Sequence, residues 1–163
     1  MVDRNIYKLG RPKLFTDIMP KQDVEEYLEA ILDIVTEKEV AKTTDIAQVL
    51  GVSPSSVTEV IQRLNKNDLI FYESYKGAKL TEKGLKIANK IKRKHRLVEI
   101  FLSDYLRINP DNVHAEACRM EHCVSDEVTD ALCKMMGGPS KCPCGKDIPK
   151  CDPDKDCDIC KRR

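Results

Sequence analysis

The run TTDIAQVLGVSPSSVTEVIQRL, residues 43–64, decides the fold. It divides into two short helical segments around Gly51 and Val52. Thr43 or Thr44 caps the first segment, and Gly51 supplies the turn because a left-handed backbone costs it nothing sterically. Ser53 caps the second segment, and Pro54 takes its first position, where no amide donor is needed. Val57, Val60, Ile61 and Leu64 recur at helical spacing and face inward. That arrangement turns Ser55, Ser56, Thr58, Glu59 and Gln62 outward, with Ser53 and Arg63 at the two ends. The result is a helix-turn-helix whose second helix suits a major groove. A unit used only for protein contacts would carry the same pattern.

Downstream, Leu69–Glu73 and Ala78–Leu80 are strand-like runs around Ser74-Tyr-Lys-Gly77, a hairpin placed as a wing with Tyr75 and Lys76 at its tip. Upstream, Pro20 opens a helix with its apolar stripe at Val24, Tyr27, Leu28, Ile31, Leu32 and Val35; Glu26 and Glu29 flank it. Residues 1–19 lack periodicity and read as a flexible arm. The expected class is therefore mainly α with a small β-hairpin wing: a winged helix-turn-helix over residues 20–82, then a helical domain over 83–140.

Thr81 caps a long helix with apolar positions Ile87, Ile91, Leu97, Val98, Phe101 and Leu102. Seven basic residues and no acid lie between Lys83 and Arg96, although the whole chain has a formal net charge of only +1. A local stripe of this kind is either a phosphate-facing surface or a solvated face. His95 and Glu99 stand four apart on this helix. Beyond Pro110 a further helix is expected to run unbroken through Val128, Ala131, Leu132 and Met135 to Gly137-Gly138-Pro139. Within it Cys118, Glu121 and His122 fall at i, i+3 and i+4. A thiolate, a carboxylate and an imidazole on one turn form a half-site for a transition-metal ion; a buried thiol beside a hydrogen-bonded pair is the bland alternative. Helices this apolar, following a complete DNA-reading unit, are expected to cover a second copy of the chain, giving a homodimer matched to a palindromic operator.

No signal-peptide core follows Met1, and no apolar run reaches membrane length, so a cytoplasmic protein with reduced thiols and no membrane partner is expected. All eight cysteines lie beyond residue 117. Clustering of this kind points to metal or redox chemistry and away from a secreted disulfide framework. Five of them fall in residues 141–163. Cys142-x-Cys144 and Cys157-x-x-Cys160 have the spacing of paired zinc ligands, with Cys151 able to replace one. An iron–sulfur cluster, a redox disulfide or an unstructured tail are the other readings. Cys123 and Cys133 read as buried thiols within helices.

Three segments carry a family resemblance: Ser53-Pro-Ser-Ser-Val-Thr58, Lys94-His-Arg-Leu-Val-Glu99, and Glu116-Ala-Cys-Arg-Met-Glu-His122 with Ser125-Asp-Glu-Val128. Cys142-Pro-Cys-Gly-Lys-Asp-Ile-Pro149 adds to them. With these residues the chain resembles the metal-dependent repressors of the diphtheria toxin repressor family, which includes iron- and manganese-sensing members. The resemblance implies a primary divalent-metal site of Glu26, Cys118, Glu121 and His122, with Glu29 as a further candidate from the manganese branch. It implies an ancillary site of His95, Glu99 and His114. Soft Cys118 beside hard Glu26 favours Fe(II), with Mn(II) or Zn(II) as alternatives.

The expected function is a metal-activated, DNA-binding transcriptional repressor and not an enzyme. Its rival is a winged-helix regulator that senses redox state, a cluster or zinc through the cysteine-rich tail. A dithiol enzyme built on Cys157 and Cys160 lacks the strand–helix context such motifs need.

Overall fold

The computed structural model describes residues 20–151. The proposed N-terminal arm, Cys157 and Cys160 lie outside them. Helix α1 (Lys21–Glu37) leads into α2 (Thr43–Leu50) and α3 (Pro54–Lys66). Gly51 between these two is left-handed at φ 66°, and the Ser53 hydroxyl accepts the Ser56 amide at 3.2 Å, as the turn chemistry requires. Strands β1 (Ile70–Glu73) and β2 (Gly77–Leu80) pair antiparallel, with Ile70 opposite Leu80 and Glu73 opposite Gly77. Ala41 bridges to Ala78 on the open side of β2, so the hairpin is anchored to the loop after α1. The fold is the expected one, a winged helix-turn-helix followed by a helical domain.

Helix α4 (Glu82–Ile100) is the spine of the molecule. The Thr81 hydroxyl caps it by accepting the Gly84 amide at 3.1 Å. Gly84 itself is obligatory, since a Cβ there would lie 2.0 Å from the Leu69 carbonyl oxygen. At its start α4 closes the winged-helix core through Ala88, beside Leu28, Ile31, Ile46, Ile61 and Ile70. At its end Leu97 and Ile100 meet Cys133 and Ile148, while Val98 and Leu102 meet Val113 and Ala117. A π-helical turn, Phe101–Tyr105, then widens the helix before α5 (Pro110–Glu121) and α6 (Asp126–Met135).

Three expectations need correction. The helix after Pro110 does not run unbroken. It stops at Glu121 and restarts at Asp126, because Ser125 takes the Val128 amide at 3.2 Å and the Lys94 ammonium donates to the Val124 carbonyl at 2.6 Å. Cys123 therefore lies outside both helices and is exposed, whereas Cys133 is buried in α6 as expected. The basic stripe is solvated only over its first half, where Lys83, Lys86 and Lys90 are exposed. Arg93, Lys94 and Arg96 are buried: Arg93 donates to the Pro149 carbonyl at 3.1 Å, Lys94 also pairs with Asp126 at 3.4 Å, and Arg96 reaches the Cys142 sulfur at 3.4 Å. The helical domain and the segment after it fold back over the second half of α4, which takes up those charges internally. Among the described residues, no helix is long and apolar enough to cross a membrane.

Candidate metal centre

Helix α1, α4 and α5 converge on a cavity of about 650 Å³ lined by Glu26, Glu29, Lys92, His95, Glu99, His114, Cys118, Glu121 and His122. Each helix delivers its donors at a spacing of three or four residues, so they share one face.

At the α1 side, His122 is the joint. Its Nδ1 donates to Glu25 at 3.0 Å, which leaves Nε2 facing Glu121 Oε1 at 3.3 Å and Glu26 Oε1 at 3.8 Å. Glu26 is steadied by the Gln22 amide at 2.8 Å, and Glu25 by Lys21 at 3.3 Å. Glu25 escaped the sequence reading. Its signal was nonetheless present: an acid at i relative to Leu28 and Leu32, inside the apolar stripe of α1, and buried accordingly.

At the α4 side, the His95 ring bridges two carboxylates. Nδ1 donates to Glu121 Oε2 at 2.5 Å, and Nε2 lies 3.0 Å from Glu99 and 3.1 Å from His114. His114 Nδ1 lies 3.2 Å from the same Glu99 oxygen. The structure thus brings His95, Glu99 and His114 together. It also joins them to Glu121, so the two expected sites form one continuous network. Cys118 lines the same cavity as Glu121 and His122, and its Sγ stands 3.9 Å from both His95 and His114. The thiol is exposed and lines the cavity, and does not point into a dry interior.

The electrostatics describe a site built for positive charge. Burial alone would lower the His95 pKa, but hydrogen bonds to Cys118, Glu121 and Glu99 outweigh it and push the imidazole up to about 11. A proton held that firmly among buried carboxylates does the charge-balancing work of a cation. Burial would likewise raise Glu99, yet the bonds and charges of His95 and then His114 hold it below the usual carboxylate range. Glu29 goes the other way, raised by burial and by Glu121 against the pull of Lys92. Among the described residues, three triads of donor atoms each lie within 4.8 Å: His95–His114–Cys118, Glu99–Cys142–Cys144 and Glu29–His95–Glu121. The first and third combinations, of imidazole, carboxylate and thiol, fit a divalent transition metal; the second could do so only with Cys142 and Cys144 as free thiolates.

Of the cysteine-rich tail, the described residues 141–151 return along α4, while Cys157 and Cys160 of the expected zinc site lie outside the described residues. Cys142 and Cys144 are joined as a disulfide, contrary to the expectation of reduced thiols, and Cys144 turns to Glu99 Oε2 at 4.0 Å. Cys151 packs instead against the Leu97, Ile100 and Cys133 cluster. The physical reason is the return of the chain after α6, which lays residues 142–151 along α4.

In the DNA-reading domain, Ser55, Ser56, Glu59 and Gln62 are exposed on α3. Thr58 is half-buried, and its hydroxyl donates to the Pro54 carbonyl at 2.9 Å; Arg63 pairs with Glu59. Tyr75 stands fully exposed at the wing tip with φ 67°, next to Lys76, which pairs with Glu73.

Residues 19–78 match the family model of the iron dependent repressor N-terminal DNA binding domain, and residues 81–150 match that of the iron dependent repressor metal binding and dimerisation domain. The chain is similar to an uncharacterized HTH-type transcriptional regulator of Methanocaldococcus jannaschii, 39% identical over 112 residues that cover 68% of this chain and 90% of the relative. It is also similar to the HTH-type transcriptional regulator MntR of Geobacillus thermodenitrificans, 38% identical over 114 residues covering 70% and 80% of the two chains. Among solved structures, the manganese regulator SloR superposes with a TM-score of 0.70 at 36% identity. That match covers 78% of this chain and 59% of SloR, so the chain spans under two thirds of that neighbour.

Proposed function

Since the chain belongs to the family of iron-dependent repressors, metal-dependent transcriptional regulators that bind DNA, we propose that its activating ion is Fe(II), clasped where the DNA-reading domain meets the helical domain. Glu26, Cys118, Glu121 and His122 would hold it, and His95, Glu99 and His114 would form the adjoining site, with Cys142 and Cys144 near enough to join once reduced. The observation that carries this reading is His122. It lies on the far side of the domain boundary from Glu25 and Glu26 and is within reach of both. When bound, a divalent ion supplies charge balance and a cross-link between α1 and the end of α5.

The residues prepare that cross-link. Glu25 fixes the His122 tautomer so that Nε2 is presented to the cavity, the usual arrangement of a ligand histidine and its carboxylate partner. Cys118 contributes the soft donor that favours Fe(II) over Mn(II). Manganese is the second reading, favoured by the hard donors Glu26 and Glu29 and by the likeness to manganese regulators. Energetically the switch is feasible. Moving a two-state equilibrium from 1:99 to 99:1 needs about 5.5 kcal/mol of differential binding, and structural metal sites reach about 10 kcal/mol or more. Ser53, Ser55, Ser56, Thr58, Glu59, Gln62 and Arg63 would then face the major groove of a palindromic duplex, with Tyr75 and Lys76 reaching its backbone.

Anaerobic fluorescence anisotropy tests this, using a duplex selected from random genomic fragments and Fe(II), Mn(II), Co(II) or Zn(II) in turn. Metal should tighten DNA binding at least tenfold in the parent chain, Fe(II) acting at the lowest concentration. Cys118→Ala and Glu121→Ala should each abolish that gain. Equal metal-dependent binding by parent and variants would refute the site.

A further inference from the structure

A lysine ammonium already stands at the acidic end of the cavity. Lys92 lies on α4 three residues before His95, with only 12% of its side chain exposed. Its Nζ is 3.2 Å from Glu29 Oε1 and also bonds the Asp33 carboxylate, one turn further along α1. Glu29 belongs with His95 and Glu121 to a triad whose donor atoms lie within 4.8 Å of one another. Glu121 is shared: its other oxygen faces His122, at the Glu26 corner. Two neighbouring cation positions therefore meet at the Glu121 carboxylate, one towards Glu26 and His122, the other towards Glu29 and His95.

We propose that Lys92 is the resident cation of the second position: its ammonium holds Glu29 and keeps a second divalent ion out, so the centre at Glu121 loads a single ion. This rests on the metal-centre reading above. Three properties make the lysine effective. An ammonium has donors and no lone pair, so it cannot become a ligand while protonated. It is tethered, and therefore competes for Glu29 at a high effective concentration that no free ion matches. It also repels any divalent ion approaching the same carboxylate, and with only 12% and 17% of the Lys92 and Glu29 side chains exposed, water screens that repulsion less than at an open surface. A lysine that merely ties α4 to α1 would affect stability and leave metal stoichiometry unmoved.

The test uses the full chain with Lys92→Gln and Lys92→Arg, loaded anaerobically with Mn(II), desalted, and assayed for bound metal by mass spectrometry and for ion pairing by electron paramagnetic resonance. Lys92→Gln should hold one more Mn(II) per protomer than the parent, with the broadened signal of two exchange-coupled ions sharing a carboxylate. Lys92→Arg should match the parent, and Glu29→Gln in the Lys92→Gln background should remove the added ion. If Lys92→Gln does not fold, Lys92→Met serves in its place. Equal counts in a loaded parent and the neutral variant, or a parent that already shows coupled ions, overturn the role given to Lys92. A parent that takes up no divalent ion overturns the metal-centre reading and this inference together.

Discussion

His95 is where the two halves of the candidate centre touch, since one ring nitrogen serves Glu121 and the other Glu99. With its pKa at about 11, the ring carries a proton throughout the neutral range, and any metal that uses it must displace that proton. An ion bound at the adjoining site of His95, Glu99 and His114 should therefore release at least one proton, and its affinity should rise about tenfold per pH unit between pH 6 and 8. Calorimetry in buffers of different ionisation enthalpy measures both; uptake without proton release would separate His95 from the ion. The same shift sets the stability of the metal-free protein. A folded pKa raised above the usual histidine value means a contribution fully present below about pH 6.5, lost progressively as pH rises towards about 11. The thermal midpoint of the metal-free chain should accordingly fall between pH 7 and pH 9. Cys118, Glu121 and His122 are legible as a group of candidate donors because residues at i, i+3 and i+4 share a helical face whatever the tertiary fold. Lys92 is not, because its role depends on which helix packs across from it; for Glu25 the stripe shows burial, while its partner His122 is a matter of tertiary packing.

At the level of the element, the joint between α5 and α6 controls the direction in which His122 leaves its helix. Ser125 is the N-cap of α6, and Asp126 and Glu127 in its first turn suit the helix dipole. That start signal can be read from the sequence alone, but the apolar periodicity running from Val113 to Met135 masks it. Ser125→Ala should cost about 1 kcal/mol in urea unfolding, the usual loss on removing a serine cap. Gly84→Ala should cost more, of order 1–3 kcal/mol as for overpacked sites, because a methyl group there meets the Leu69 backbone. The π-helical turn after Ile100 left no clear mark on the sequence. The basic stripe shows the converse: seven like charges in fourteen residues resemble a nucleic-acid surface until the segments that bury Arg93, Lys94 and Arg96 are in place.

Taken as a whole, the molecule exposes apolar surface where a second copy could sit. Val128, Ala131 and Met135 lie at i, i+3 and i+7 of α6 and all are exposed. Val128→Glu combined with Met135→Glu should convert a dimer into a monomer in analytical ultracentrifugation while leaving the far-ultraviolet helical signal intact. Retention of the dimer would place the contact elsewhere.

The sequence by itself determined the helix-turn-helix, the wing, the caps at Ser53 and Thr81, and the cluster of donors around Cys118. Each is a local matter of turn chemistry, capping or periodicity, settled within a few residues of chain. Only the tertiary structure decided that His122 meets Glu25 as well as Glu26, that Cys142 and Cys144 return to Glu99, and that an ammonium stands beside Glu29. Those pairings join residues dozens of positions apart, and their geometry is fixed by how α4 packs against α1, α5 and the segment beyond α6, which no local pattern encodes.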